Sequence, residues 1–314
     1  APIHAAPATS GEDVEHAEKP TPKKRRRQFE PLQPPQGWRE TYDLITELRA
    51  DRTAVVDSMG TEAAAAWAGD QEAREYHCLV SLMLSSQTKD TINAEVMRGL
   101  RAHGLTVSNV LATSDDDLRE LIRKVGFFNN KVKYIKEATR IIADQHGGRV
   151  PSNMEDVLKL PGVGPKMAII LLNVAFGKCE GISVDTHVHR ICNQLGWTGL
   201  EPTANPEKTR QAIESWMPRE VWADVNLLLV GLGQEVQTQR GKLLGKALAC
   251  SDVPRALSLL ATLGMDVSKE LVKAGREDEP AAVHFIEQGF ESANRNAKRV
   301  GQQDDGDLAA EARA

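Results

Sequence analysis

The sequence predicts an all-α protein, and three observations support this fold class. Apolar residues recur at helical spacing, as at Leu44, Ile45 and Leu48. Residues that favour helix N-termini precede such stretches, as Ser114 does before an acidic first turn. No segment shows the alternation of apolar and polar residues that is typical of a half-buried strand.

The predicted helices follow one another along the chain, and glycines such as Gly104 and Gly147 end two of them. The predicted segments are the one around Leu44, then 72–84, 91–103, the one that Ser114 begins, 131–145, a short one opened by Asn153, 167–176, 186–195, 206–217 and 220–232. Two amphipathic helices are predicted within residues 251–300, the first with Ala256, Leu257, Leu260 and Leu263, the second with Val283, Ile286 and Phe290.

Composition limits the class of protein. A length of 314 residues allows one large domain or two modest domains with a sizeable core. Hydrophobic residues make up 41% and aromatic residues 4%, so we expect an aliphatic core. No apolar run reaches the ~18 residues that a membrane-spanning helix needs, so no membrane association is expected. The four cysteines show no paired spacing, which is typical of a reduced, intracellular protein.

Charge is unevenly distributed along the chain. The formal net charge is −5, which is unusual for a protein that binds nucleic acid, but acidic residues are concentrated near both ends. Residues 1–35 and the acidic residues 301–314 are predicted to be disordered tails. The basic run KKRRR at residues 23–27 is typical of a nuclear-localisation signal or a DNA-tethering patch, with a solvated charge run as the alternative. We therefore expect a nuclear protein, with the mitochondrion as an additional location.

The most informative motif is the run LPGVGPK at residues 160–166, which an apolar stretch and then Asp185 follow. Glycines allow a tight turn, and the start of a helix just after that turn offers free N–H groups that favour phosphate. A lysine placed there can act as a nucleophile. The spacing differs from that of a nucleotide-binding P-loop, because one residue separates the glycines and Met167 follows the lysine. The alternative is a plain helix-start turn with a surface lysine.

Four blocks of sequence together carry a family resemblance. They are LPGVGPKMAIILLNVAFG with GISVDTHVHRICNQLGW, SLMLSSQTKD at residues 81–90, VGFFNNKVKYIKEA at 125–138 and VNLLLVGLGQ at 225–234. In this order they resemble the helix-hairpin-helix and Gly/Pro-rich-Asp signature of DNA glycosylases. Within that superfamily they are similar to the endonuclease III branch in its eukaryotic form. The resemblance is most secure between Tyr76 and Gln234.

The resemblance implies an architecture and a catalytic pair. It implies a helical barrel over residues 68–178 and a second helical domain from 36–67 and 179–250, with residues 251–300 as a helical extension. The active site would lie in the cleft between the domains. Lys166 would be the Schiff-base nucleophile, and Asp185 would supply a negative charge near the oxocarbenium-like transition state. Asp185 is also suited to cap the helix that begins at Thr186, and the two roles are compatible.

The resemblance also implies the groups that contact DNA. A glycosylase flips its target base out of the duplex and fills the space left behind. The implied contact residues are Gln87, Phe127, Gly162, Val163, Gly164 and His187. Phe127 could instead be a core aromatic, but consecutive phenylalanines after Gly126 are difficult to bury together. His187 and His189 lack a third ligand nearby, so no zinc site is predicted.

The implied function is that of a bifunctional DNA glycosylase and abasic-site lyase of base excision repair. Its substrate would be double-stranded DNA with oxidised pyrimidines or abasic sites. The alternatives are a catalytically inactive DNA-binding protein and a monofunctional glycosylase for adenine or alkylated bases, which Lys166 disfavours. We expect a monomer, with protein partners reached through the tails.

The chain departs from the family pattern after the GLGQ sequence. Most members carry four cysteines there, which ligate a [4Fe–4S] cluster. Here residues 235–239 read EVQTQ, and no cysteine follows until Cys250. We therefore predict a protein without this cluster and without another cofactor, as in cluster-less eukaryotic members of the family.

Overall fold

The computed structural model describes residues 31–287, and the regular structure within this range is helical, with no strand. In chain order the α-helices are α1 (Trp38–Leu48), α2 (Val55–Met59), α3 (Thr61–Ala66), α4 (Gln71–Ser85), α5 (Asp90–His103), α6 (Val107–Ala112), α7 (Asp115–Ile122), α8 (Phe128–His146), α9 (Met154–Val157), α10 (Pro165–Phe176), α11 (Thr186–Gln194), α12 (Pro206–Glu214), α13 (Trp222–Thr238), α14 (Arg240–Ala249), α15 (Val253–Thr262), α16 (Val267–Ala274) and α17 (Pro280–Glu287), with a 3₁₀ helix at Arg219–Val221. The all-α fold class is confirmed. A membrane-spanning helix is absent from the described residues, since none of their helices combines the required length and apolarity.

Local signals explain most helix starts. The side chains of Asp70, Ser114 and Asn153 each accept a hydrogen bond from a backbone N–H in the first turn of the helix that follows. The prediction ended the helix of the VNLLLVGLGQ block too early, since α13 continues to Thr238. Mid-helix glycines weaken a helix in isolation, but packing against other elements overrides that preference here. The helices α2, α3, α6, α14 and α16 were not predicted. Phe290 and residues 23–27 lie outside the described residues.

Two hydrophobic cores divide the described chain. One core is formed by residues between Ala64 and Phe176, and we call residues 61–176 the central lobe. The other is formed by residues from both ends of the described range, and we call residues 32–59 and 182–285 the terminal lobe. The predicted boundary before residue 68 is wrong for α3, because its buried Ala64 and Ala65 pack in the central core.

The terminal lobe contains a cluster of tryptophans near its N-terminal segment. The Trp216 ring makes edge-to-face contacts with Trp38 and Trp197, at centroid distances of 5.3 Å and 6.1 Å. The predicted tail also reaches too far, since Leu32 packs against this core and its N–H donates to Ser215 Oγ at 3.1 Å. The N-terminal segment is thereby joined to the helices that follow residue 182.

The segment after α13 completes the terminal core. Its inward-facing residues are fully or almost fully buried, with no side chain above 1% exposure among Leu243, Leu244, Ala247, Ala256, Leu257 and Leu260. Residues 253–285 therefore belong to the same core as α1 and α11, rather than to a separate extension.

A buried ionic network joins α1 to α13 and α14. The Arg49 side chain has 0% exposure, and its guanidinium donates to Glu235 Oε1 at 2.8 Å and to both Asp57 oxygens at 2.7 Å. Lys246 Nζ lies 2.9 Å from the same Glu235 oxygen. Gly231 leaves room for this guanidinium, because a Cβ there would collide with Arg49.

Candidate active site

The LPGVGPK run forms a tight turn at the surface of the central lobe. The Val163 N–H donates to the Leu160 carbonyl oxygen at 3.1 Å. Pro161 and Gly162 are the central residues of this turn, and Gly162 has a φ of +80°, as a type II turn requires. A Cβ on Gly162 would also lie 3.0 Å from the Tyr134 ring. Glycine is therefore needed at this position for both conformation and space.

The donors that the turn offers differ in part from the predicted set. Val163 is wrong as a phosphate contact, because its side chain is buried and its N–H is used inside the turn. The N–H groups of Gly164, Lys166 and Met167 donate to no group among the described residues. Gly164 has an extended φ of −98°, and a Cβ there would meet nothing within 4 Å. The open surface over Gly164 and the start of α10 therefore forms the anion-accepting end of the motif.

Lys166 and Asp185 meet across the two lobes. Lys166 is the second residue of α10, and its Nζ lies 3.7 Å from Asp185 Oδ2. The Asp185 Oδ1 atom accepts the Val188 N–H at 2.8 Å and so caps α11. The cap holds one carboxylate oxygen in place and directs the other towards the lysine. The side chain of Lys166 remains 48% exposed, which leaves the amine accessible from the cleft.

A cleft of about 990 Å³ surrounds this pair. Its walls come from both lobes, and Gln87, Lys166, Asp185 and His187 all line it. The cleft is large enough to receive a nucleotide, and an amine and a carboxylate face each other inside it.

His187 lies in the cleft wall, on the first turn of α11. Burial lowers its pKa, against the opposing effect of the nearby Asp185 charge. The ring packs against α13 where Gly233 stands, since a Cβ there would lie 2.6 Å from His187 Nδ1. His189 bonds instead to Thr209 Oγ1 at 2.6 Å. No group of three or more His, Cys, Asp or Glu side chains suited to a metal ion occurs in the described range.

Gln87 and Phe127 lie on neighbouring loops of the central lobe. Both have left-handed backbones, with φ of +49° and +52°. Such conformations are uncommon for residues other than glycine and concentrate at functional sites. Phe127 is 64% exposed, whereas Phe128 packs against the central core. The expectation that one phenylalanine of this pair is exposed is therefore met.

The structure also reveals polar groups that sequence reasoning missed. Gln234 Nε2 donates to Asp90 Oδ2 at 2.9 Å, and Gln234 Oε1 accepts the Val56 N–H at 2.9 Å. This side chain links α13 and α2 of the terminal lobe to the start of α5 in the central lobe. Lys131, buried beneath the loop that carries Gln87, was also missed. The sequence does show a lysine at a position of α8 that the spacing of apolar residues predicts to be buried.

The cysteines do not fit an iron–sulfur cluster. Cys78 is buried in the core of the central lobe, and Cys192 is buried in the core of the terminal lobe. Burial raises the pKa of both thiols, which disfavours the thiolate that a cluster binds. Cys179 lies between these cores in sequence, and Cys250 follows α14. The described residues therefore offer no set of four thiolates.

Comparisons with known proteins agree with this geometry. Residues 80–219 match the HhH-GPD superfamily base excision DNA repair protein family. Endonuclease III-like protein 1 of Bos taurus is 45% identical over 231 residues, which cover 74% of this chain and 72% of that protein. The protein of the same name from Mus musculus is 48% identical over 206 residues, which cover 66% and 68%.

A solved structure of a trapped endonuclease III–DNA covalent intermediate, in an estranged-adenine complex, has the same fold. Its sequence is 25% identical to this chain, and the TM-score is 0.52. The match covers 62% of this chain and 84% of the chain in that structure. The fold and the family match define a DNA glycosylase of base excision repair. Within that class the chain belongs to the endonuclease III family, as the two vertebrate relatives show.

Proposed function

We propose that the protein removes oxidised pyrimidines from duplex DNA and then cuts the strand at the abasic site through a Schiff base on Lys166. The observation that carries this proposal is the Lys166–Asp185 pair, 3.7 Å apart in a cleft beside the glycine turn. A bifunctional mechanism is typical of the endonuclease III family, and the oxidised-pyrimidine class follows from the resemblance to that family. Double-stranded DNA is the partner, and the protein acts as a monomer.

The reaction begins with the neutral amine of Lys166. Its nitrogen forms a bond to C1′ while the glycosidic bond breaks, and the bonding electron pair leaves with the base, which takes up a proton. The Asp185 carboxylate stabilises the positive charge that develops on the sugar. The nitrogen then loses a proton, and its lone pair forms the C=N bond as the C1′–O4′ bond breaks. The electron pair of that bond goes to O4′, which takes up the proton, and a protonated Schiff base results.

The Schiff base makes strand cleavage possible. It acidifies the C2′ proton, and loss of that proton expels the phosphate group from C3′ by β-elimination. Water then hydrolyses the imine, which releases the cleaved strand and restores the Lys166 amine. Every proton and electron pair in this sequence is supplied by the protein, the DNA or water.

The surrounding loops supply the binding surface. The free N–H groups of Gly164, Lys166 and Met167 receive a backbone phosphate without reading sequence. Gln87 and Phe127 enter the duplex at the site of the extruded base, and His187 contacts the DNA from the opposite wall. Residues 23–27, outside the described residues, direct the protein to the nucleus; redistribution of a fluorescent fusion that lacks them checks this point.

Borohydride trapping on abasic-site DNA tests the proposal. The wild type should form a covalent complex and Lys166→Gln should form none, whereas Lys159→Gln, an exposed lysine just before the turn, should behave as the wild type. Asp185→Asn should lower base excision about 100-fold and reduce cleavage at a preformed abasic site less. Trapping that survives in Lys166→Gln would assign the nucleophile to another residue, and equal losses in Asp185→Asn would exclude a charge-stabilising role.

A further inference from the structure

Lys131 is a buried lysine on the first turns of α8. The residue is 4% exposed, and its ammonium donates to three oxygens of one segment. They are the carbonyl oxygens of Leu84 at 2.8 Å and Ser86 at 2.6 Å, and Thr88 Oγ1 at 3.2 Å. These acceptors stand on both sides of Gln87, so the ammonium lies beneath the loop that presents that side chain.

This placement has an electrostatic cost. Burial lowers the pKa of Lys131 to about 8. No carboxylate of the described residues forms an ion pair with it, and a positive charge near the start of α8 opposes the helix dipole. A neutral apolar side chain would fill the space at lower cost. The hydrogen bonds to oxygens at the end of α4 and in the Gln87 loop offset this cost.

The same contacts couple the Gln87 loop to the Phe127 loop. Thr88 Oγ1 accepts both from Lys131 and from the Gly126 N–H, at 3.2 Å. A Cβ on Gly126 would lie 2.6 Å from the Gln87 carbonyl oxygen, so the two backbones touch. The Lys131 N–H in turn donates to the Phe127 carbonyl oxygen at 3.1 Å. The Lys131 side chain therefore bonds to residues on both sides of Gln87, and its main chain bonds to Phe127.

We propose that Lys131 is a positioning residue for base extrusion, whose ammonium holds the Gln87 and Phe127 loops in one fixed arrangement. The inference rests on the proposed function, in which these two side chains enter the duplex. Lys131 itself contacts neither the substrate nor the reacting atoms. It fixes the loop geometry before DNA binds, so that insertion of Gln87 and Phe127 does not require the loops to become ordered at that moment.

The same helix provides a matched control. Lys136 also donates to backbone carbonyl oxygens, those of Val110, Leu111 and Thr113 at the end of α6. Its side chain is 12% exposed. Lys136 and Lys131 therefore share chemistry and helix, but only Lys131 contacts the loops with Gln87 and Phe127.

The experiment compares Lys131→Met with Lys136→Met in the full chain. The first readout is hydrogen exchange at residues 84–90 and 125–130 without DNA. The second is the ratio of base excision from a paired duplex to cleavage of an abasic site in single-stranded DNA. Lys131→Met should raise exchange in both loops and lower the ratio about tenfold, the size expected for loss of hydrogen bonds from a charged group. Lys136→Met should change neither quantity.

Combination with Gln87→Ala separates positioning from general destabilisation. If Lys131 acts through Gln87, the double variant should lose little more excision than Gln87→Ala alone. Thr88→Val, which removes one shared acceptor, should show the same direction of change and serves if Lys131→Met does not fold. Unchanged exchange in the loops, or additive losses in the double variant, would overturn the inference. A wild type without excision activity would refute the proposed function, while the exchange measurement would still decide whether Lys131 orders the loops.

Discussion

The two lobes of this protein are built in different ways. The central lobe is one continuous stretch of chain with a mostly aliphatic core, and its surface turns carry Gln87, Phe127 and the glycine turn. The terminal lobe joins segments from both ends of the described chain, and it contains the tryptophan cluster and the buried Arg49 network. The groups that we propose to meet DNA thus lie on locally determined turns, whereas the lobe behind them depends on contacts between residues far apart in sequence.

The proposed catalytic pair, Lys166 and Asp185, depends on both lobes. Lys166 comes from the central lobe and Asp185 from the terminal lobe, so their 3.7 Å separation exists only while the lobes are docked. Gln234 contributes to that docking through its hydrogen bonds to Asp90 and to the Val56 N–H. Damage to the terminal lobe should therefore abolish catalysis without touching any DNA-contact residue.

Truncation after Thr238 should have the largest effect on the terminal lobe. It removes Leu243, Leu257 and Leu260 from the terminal core, and each loss of a buried leucine side chain costs about 2–5 kcal/mol. The three losses together are as large as the ~5–15 kcal/mol that stabilises a typical domain. We expect no cooperative thermal transition by circular dichroism and no borohydride trapping. Val272→Ser, at an exposed position of α16, is the control; a truncated chain that melts like the wild type would make the segment a dispensable appendage.

Arg49→Met should have the next largest effect. It leaves the buried Asp57 carboxylate without its ion-pair partner and Glu235 with Lys246 alone, at a cost of about 3–5 kcal/mol. Denaturant unfolding measures the difference. Arg39→Met breaks an exposed pair with Asp43 and should cost less than about 1 kcal/mol. A similar small loss for Arg49→Met would show that the network does not hold the terminal lobe together.

The two glycines of the turn should separate folding from DNA binding. Gly162→Ala forces a side chain into a left-handed backbone and against Tyr134, so it should destabilise the protein by about 1–2 kcal/mol. Gly164→Ala should leave the melting temperature unchanged, because its Cβ points into open space, but it should raise the dissociation constant for abasic DNA. Equal effects of the two substitutions on stability would contradict this division of roles.

Treatment with iron chelators should have the smallest effect, because we expect it to leave activity unchanged. The purified protein should be colourless, with no stoichiometric iron or sulfide, and chelators should leave trapping and excision unchanged. The reason is that Cys78 and Cys192 are buried in different cores, so the four thiols cannot meet at one cluster. Stoichiometric iron in the purified protein would refute this prediction.

The sequence was sufficient for features that depend on local chemistry. Helix starts at capping residues and the need for Gly162 follow from backbone preferences alone. The exposure of one phenylalanine after Gly126 follows in the same way. The family resemblance then predicted that Lys166 and Asp185 lie together in the cleft between the two domains.

Contacts between distant residues could not be predicted in this way. Arg49 and Glu235 are separated by most of the chain, and no local pattern indicates that they form a buried pair. The glycines of the GLGQ block are explained only by the Arg49 and His187 side chains that they admit. Val163 was misassigned because the spacing of the motif does not reveal which N–H closes the turn.

The terminal lobe is closed by segments from both ends of the described range, and this also sets an order of events during synthesis. Domains generally fold as units while the chain emerges from the ribosome. The central lobe has all of its core residues once α10 has emerged, whereas α1 must wait until α13 and α14 appear before it can pack against them. A nascent chain of this protein therefore holds all the turns that we propose to contact DNA well before it has the terminal lobe that supplies Asp185.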